Sequence, residues 1–281
     1  MMKKVIFLSL ILGLVFLNYG FCEPVKLRII SLAPATTEIL FALGLDKEIV
    51  GVSQFCNYPP QALAKEKVGT FSDPDMEKIL SLKPDLIVCT GLKQAAVVIK
   101  LKQLGLNVCV SDPADFNALF ASIHEIGGRV GKAYEAQELI SRMRGDINQI
   151  KAKVNRIKRS APLRVYVEIW HGPLLTAGRN SFINEILNTA GAVNIAGDVK
   201  KAYFNISDEA VIHKNPQVII AAYMDNSNAQ ARFARRPGWG NLDAVKSSRV
   251  YNDFNADILL RPGPRLAQGL NEIYNRLYEN N

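Results

Sequence analysis

Histidine and cysteine are scarce in this chain, with three of the first and four of the second in 281 residues. His124, His171 and His213 are not spaced as ligand pairs and no CxxC occurs, so a dedicated zinc site is not expected. Cys89 (DLIVCTG) and Cys109 (LNVCVSD) lie in strand-like runs and read as buried thiols rather than as a disulfide or metal pair. There is no GxxxxGK[ST], and Ser31 is followed by Leu32 and Ala33, so the first strand-to-helix turn is neither a P-loop nor a nucleophile elbow. Serine, histidine and aspartate never gather in a recognisable nucleophile setting, and since such triads are not visible in sequence without characteristic spacing, no catalytic residue is assigned. Basic residues are dispersed apart from Arg232, Arg235 and Arg236, and without an aromatic-basic motif these read as solvated surface; no nucleic acid partner is expected.

Long apolar runs are missing too, except at the start. In MMKKVIFLSLILGLVFLNYGFC, Lys3 and Lys4 precede a continuous apolar run from Val5 to Leu17, short for a bilayer span of ~20 residues. Gly20 and Cys22 then suit cleavage after Cys22, so residues 1–22 read as a secretory signal and the mature protein as exported to the periplasm. A lipid anchor at Cys22 is not expected, because bulky Phe21 occupies a position that wants a small residue. Cleavage removes two lysines and no acid, leaving 32 basic against 26 acidic residues, a formal +6.

What remains alternates short β-rich runs with helical patterns, the mark of an α/β fold with a mostly parallel sheet. Residues 133–159 differ: Ala136, Leu139, Ile140, Met143, Ile147, Ile150, Val154 and Ile157 recur at steps of three and four, one long amphipathic helix interrupted only by Gly145. The halves on either side echo each other. TEILFALG (37–44) resembles NEILNTAG (184–191), and MEKILSLKPDLIV (76–88) resembles DEAVIHKNPQVII (208–220). The expected architecture is therefore two similar Rossmann-like lobes, residues 23–130 and 161–281, joined by one rigid helix within 131–160, with a ligand cleft between them.

Several aromatics fall after strand ends or just before helices, where α/β ligand crevices form: Phe55 and Tyr58 in SQFCNYPP, Phe71 in GTFSDPD, Trp170 in EIWHGP, Tyr203 in KKAYFNIS and Tyr223 in AAYMDN. They suit a broad, flat, apolar ligand held by ring faces. In RIISLAPATTEILFALGL, Pro34, Thr36 and Thr37 read as a capped helix start, and N–H groups around Ala35 and Thr36 are candidates for a polar ligand edge. Glu77 and Glu209 stand in the first turns of helices capped by Asp75 and Ser207. The helix dipole accounts for each singly. One acid at the same place in each lobe also fits docking on a two-fold partner.

RIISLAPATTEILFALGL, VGVSQFCNYPP, VGTFSDPDMEKILSLKPDLIV and DILLRPGPRL resemble the helical-backbone class of periplasmic substrate-binding proteins of ABC importers, whose members take up cobalamin, ferric siderophores and haem, and the likeness is greatest to the cobalamin-binding members. The resemblance implies little lobe closure, ligand contacts at Phe55 or Tyr58, Phe71, Trp170 and Tyr203, and pairing of Glu77 and Glu209 with arginines of a permease dimer. It also implies a binding protein rather than an enzyme, a monomer without a resident cofactor, whose transported ligand contains a metal; the alternative of another class is an exported enzyme acting on a tetrapyrrole or metal complex in the same cleft. Phe71 and Tyr203 stand where the cobalamin-binding members have tryptophans. Cobalamin is nearly neutral, so ring faces suffice for it; siderophores and haem expose anionic groups that call for arginine, for which Arg261 and Arg265 are candidates. Arg265 beside Pro264 reads better as structural. Haem would further require an iron ligand, Tyr58 or His171.

Overall fold

The computed structural model describes residues 27–91, 94–158, 160–223, 229–253 and 255–279. The expected signal, residues 1–22, lies outside them. Up to the long helix the order is β1 (Ile29–Ser31), α1 (Pro34–Ala42), β2 (Ile49–Val52), α2 (Met76–Ser81), β3 (Leu86–Cys89), α3 (Ala95–Gln103), β4 (Val108–Val110), α4 (Phe116–Arg129) and α5 (Ala133–Val154). After it come β5 (Leu163–His171), β6 (Leu174–Ala177), α6 (Phe182–Thr189), β7 (Ala192–Asn194), β8 (Tyr203–Asn205), α7 (Asp208–Lys214), β9 (Val218–Ala221), α8 (Ala229–Ala234), α9 (Asp243–Lys246), β10 (Val250–Tyr251), α10 (Asp257–Leu260) and α11 (Leu266–Tyr278).

The first sheet is parallel throughout, in the order β2-β1-β3-β4. The connections after β1 and after β3 diverge, which opens a crevice at the carboxyl ends of those two strands. The second sheet is mixed. Its long strand β5 pairs parallel with β9 on one side; on the other, its first half pairs parallel with β7 and its second half antiparallel with β6, which in turn pairs with β8. The likeness of the lobes is therefore a likeness of their α/β cores, with the β6 and β8 strands an addition of the second.

Within those cores the sequence echoes correspond residue by residue. Gly44 and Gly191 both take positive φ, +77° and +73°, and stop α1 and α6. Lys83 and Asn215, each before a proline, both sit in the left-handed region at φ 46° and 40°. Arg28, just before β1, and Arg164, near the start of β5, correspond as well: each donates its amide to a side-chain oxygen of Asp85 or Gln217, accepts that residue's amide at its own carbonyl, and aims its guanidinium group at the Leu82 or Asn215 carbonyl.

Helix α5 runs unbroken through Gly145 and ends at Val154, earlier than the periodicity predicts, because Arg156 and Ile157 tighten the last turn by donating to the carbonyls of Lys153 and Val154. Its apolar stripe, Ala136, Leu139, Ile140, Met143, Ile147 and Ile150, enters one core shared by both lobes, which also takes Ile29, Val88 and Cys109 from the first sheet and Val165, Val167 and Ile220 from the second. Phe116 of α4 meets Phe182 of α6 edge-on within it, ring centroids 5.2 Å apart. Each sheet has a separate core on its other face. Because β3 and β4 pair Val88 with Cys109, Cys89 and Cys109 point to opposite faces of the sheet and cannot bridge. Burial raises both thiols, Cys89 to about 12 and Cys109 to about 11, so both stay protonated and inert at neutral pH. No helix among the described residues is long and apolar enough to cross a membrane.

The start of α1 departs from the expectation. Ala33 at its N-cap offers no side-chain acceptor. The helix opens on Pro34, which lacks the N–H a cap would satisfy, and the hydroxyls of Thr36 and Thr37 donate back to the Ala33 carbonyl at 2.9 and 3.0 Å. Asp75 and Ser207 do cap α2 and α7, accepting from the amides of Lys78 and Ala210.

Candidate functional site

Of the aromatics singled out by sequence, Phe55 and Tyr58 follow β2 and Trp170 is next to last in β5, whereas Tyr203 opens β8 instead of following a strand. Past β2, Phe55 and Tyr58 are 56% and 40% exposed, and Trp170 and Tyr203 of the second lobe are 49% and 41% exposed, high values for residues of this size. Burial, and then the carboxylate of Asp112 past the end of β4, push the phenol of Tyr203 up. Phe71 is half-buried. Among the described residues no ring contact joins any two of Phe55, Tyr58, Phe71, Trp170 and Tyr203. Ala35 is 7% exposed and Thr36 not at all; the hydroxyl of Thr36 lies 2.8 Å from that of Ser31, and its surroundings are protein.

Gln94, which the sequence does not single out, closes the crevice between β1 and β3. Fully buried, it donates through Nε2 to the carbonyls of Leu32 (3.1 Å) and Phe71 (2.7 Å), while its Oε1 accepts from the amide of Thr90 (2.8 Å). One side chain thus fixes both strand ends and the loop that presents Phe71.

From the carboxyl-terminal segment two arginines reach into the first lobe. Arg265 forms a bidentate pair with Glu38 of α1 at 2.6 and 2.8 Å, both buried, and its guanidinium lies 3.8 Å from the centre of the Tyr58 ring. Arg261 donates to Asn57 (2.6 Å), pairs with Asp257 (2.9 Å) and lies 3.9 Å from Glu38. The loop at 263 packs on Ala35: a Cβ on Gly263 would stand 3.5 Å from the Ala35 carbonyl oxygen.

The second lobe holds its own network. Glu168, with no exposed surface, accepts a bidentate pair from Arg236 at 2.5 and 2.7 Å, the hydroxyl of Tyr223 at 2.7 Å and that of Tyr166 at 3.4 Å. Burial and the same carboxylate raise both phenols, so both remain donors. Arg232 donates to the Tyr223 oxygen and covers its ring, and His171 and Trp170 pack against Tyr223 with centroids 5.3 and 6.3 Å away. The solvated surface expected of the arginine cluster holds only for Arg235, which is exposed. Arg236 is spent on Glu168 and on the faces of Phe233 and Trp239, and Arg232 on Tyr223, because a carboxylate buried on β5 has to be neutralised. Glu77 and Glu209 are both exposed, in corresponding first turns. The N–H of Glu209 itself and then the Ser207 hydroxyl lower its carboxyl below the usual range.

Comparison with known proteins agrees with this geometry. Residues 29–255 match the family model described as periplasmic binding protein. An uncharacterized ABC transporter substrate-binding lipoprotein of Bacillus subtilis (strain 168) is 36% identical over 261 residues, covering 91% of this chain and 81% of the relative. The crystal structure of the periplasmic vitamin B12 binding protein of Vibrio cholerae superposes with a TM-score of 0.78 at 31% identity, over 89% of this chain and 96% of that one. A periplasmic heme binding protein from Pseudomonas aeruginosa superposes with a TM-score of 0.78 at 25% identity, over 90% and 93%. Two α/β lobes tied through one helix and a shared core, with exposed rings from both lobes at the strand ends, are thus features of a chain that belongs to the periplasmic binding protein family of ABC importers.

Proposed function

We propose that this protein, exported with residues 1–22 removed, works as a monomer that captures a bulky, nearly neutral ligand between its lobes, a corrinoid such as cobalamin, and hands it unchanged to a permease dimer. The observation that carries the ligand class is the state of the arginines. Arg265 is paired with Glu38, Arg261 with Asp257 and Arg236 with Glu168, so their charge is met inside the protein. An anionic siderophore would need arginines with charge to spare. What faces outward is instead ring surface, Tyr58, Trp170 and Tyr203, with Phe71 half-buried, suited to a wide uncharged face. Phe55 is a further candidate ring of that set, and Ala35 and Thr36 are the covered floor beneath it. In this reading Glu77 and Glu209 are the contacts to the permease, one per lobe.

Haem is the second reading, favoured by exposed His171 stacked on Tyr223 at the cleft edge. Quenching of tryptophan fluorescence, with Trp170 as reporter, separates the two. Titrations with cyanocobalamin, haem and a ferric siderophore side by side should give saturable quenching with cyanocobalamin that persists in 0.5 M salt. Saturation with an anionic siderophore or haem, and none with cyanocobalamin, would overturn the assignment.

A further inference from the structure

Two arginines of the carboxyl-terminal segment, four residues apart, grip two successive residues of one loop in the other lobe: Arg261 holds Asn57 and Arg265 covers Tyr58. Both converge on Glu38, which is 4% exposed and over two hundred residues away in sequence. Burying such a pair is a poor route to stability, because desolvating two charges offsets most of their attraction and a well-packed apolar pair does as well. A planar guanidinium has a use that an apolar pair lacks: locked by a carboxylate at its edge, it offers a flat cationic face on which an aromatic ring settles in one orientation. Tyr58 is still 40% exposed with Arg265 against one face, whereas Phe55, three residues earlier, is 56% exposed and has no ring or cation contact among the described residues.

We propose that Glu38 and Arg265 are positioning residues for ligand capture, and that they lock one face of Tyr58 so that its other face, rather than Phe55, is presented to the ligand. The proposal rests on the reading of the cleft as a ring-lined ligand site. Neither positioning residue touches the ligand; each acts through Tyr58.

The test is a double-mutant cycle on the full mature chain with cyanocobalamin as the probe, joined to a readout that needs no ligand. Arg265→Lys keeps the charge opposite Glu38 and loses the flat face. It should weaken cyanocobalamin about five- to tenfold in the wild-type background and leave affinity unchanged when Tyr58 is already alanine. Glu38→Gln should act in the same direction. An equal loss in both backgrounds means a structural role only and overturns the proposal. In parallel, 3-fluorotyrosine is incorporated and the Tyr58 fluorine resonance identified by its disappearance in Tyr58→Phe. Arg265→Lys should move or broaden that resonance and leave the other tyrosines in place. If wild-type protein fails to bind cyanocobalamin, the ligand assignment falls and the fluorine spectrum alone decides the positioning role: an unmoved Tyr58 resonance overturns it.

Discussion

Replacing Glu168 with alanine should destabilise the protein by about 3–5 kcal/mol, the usual consequence of removing one partner of a buried ion pair. The carboxylate has no exposed surface and the Arg236 side chain only 16%, so water cannot take over the lost bonds. Three donors lose their acceptor at once: the Arg236 guanidinium and the hydroxyls of Tyr223 and Tyr166. The damage should extend to the second core, since Arg236 also lies over Phe233 and Trp239, and Trp239 packs edge-on against Tyr166. Urea unfolding followed by tryptophan fluorescence reads the loss directly. Glu168→Gln, which keeps an acceptor and forfeits only the charge, should cost clearly less. A loss under about 1 kcal/mol for the alanine variant would mean that the network is solvated and that its charges are not buried as described.

The second large effect is on transport and leaves stability alone. Glu77→Ala combined with Glu209→Ala should reduce uptake through the permease to background while changing ligand affinity less than twofold. Both side chains are exposed, each in the first turn of its helix, and Asp75 and Ser207 continue to cap those helices without them. Loss of a favourable dipole interaction at such solvent-screened positions is too small to unfold either lobe. Each single variant should retain partial uptake, because a two-fold partner keeps one of its contacts. Uptake in vesicles carrying the permease, measured beside ligand binding by the free protein, distinguishes docking from capture. Wild-type uptake by the double variant would remove the docking role.

Local chemistry is what the amino-acid sequence makes legible here. Proline after a left-handed residue, glycine after an amphipathic turn and a 3.6-residue apolar period are properties of short segments, so the paired stops at Gly44 and Gly191 and the long helix α5 are readable without a structure. The site is less so. Glu168 sits in LRVYVEIW, where alternation implies an outward polar residue, but β5 is covered on both faces and its partner Arg236 lies far along the chain. Gln94 has no local pattern at all, since its role arises only where β1, β3 and the Phe71 loop converge. Arg265 reads as the start of a helix, which it is, and its grip on Glu38 and Tyr58 depends on a contact between the two ends of the chain. Side chains that hold distant segments together are invisible to periodicity for that reason.

The most direct test of the central claim, capture of a bulky and nearly neutral ligand without turnover, is a calorimetric titration of the purified mature protein with cyanocobalamin, repeated at 0.05 and 0.5 M salt. One ligand per chain is expected, with an affinity that changes little with salt because Arg236, Arg261 and Arg265 are already paired inside the protein, and with the ligand released chemically unchanged. No heat with cyanocobalamin, together with tight and strongly salt-dependent binding of an anionic siderophore, would contradict it.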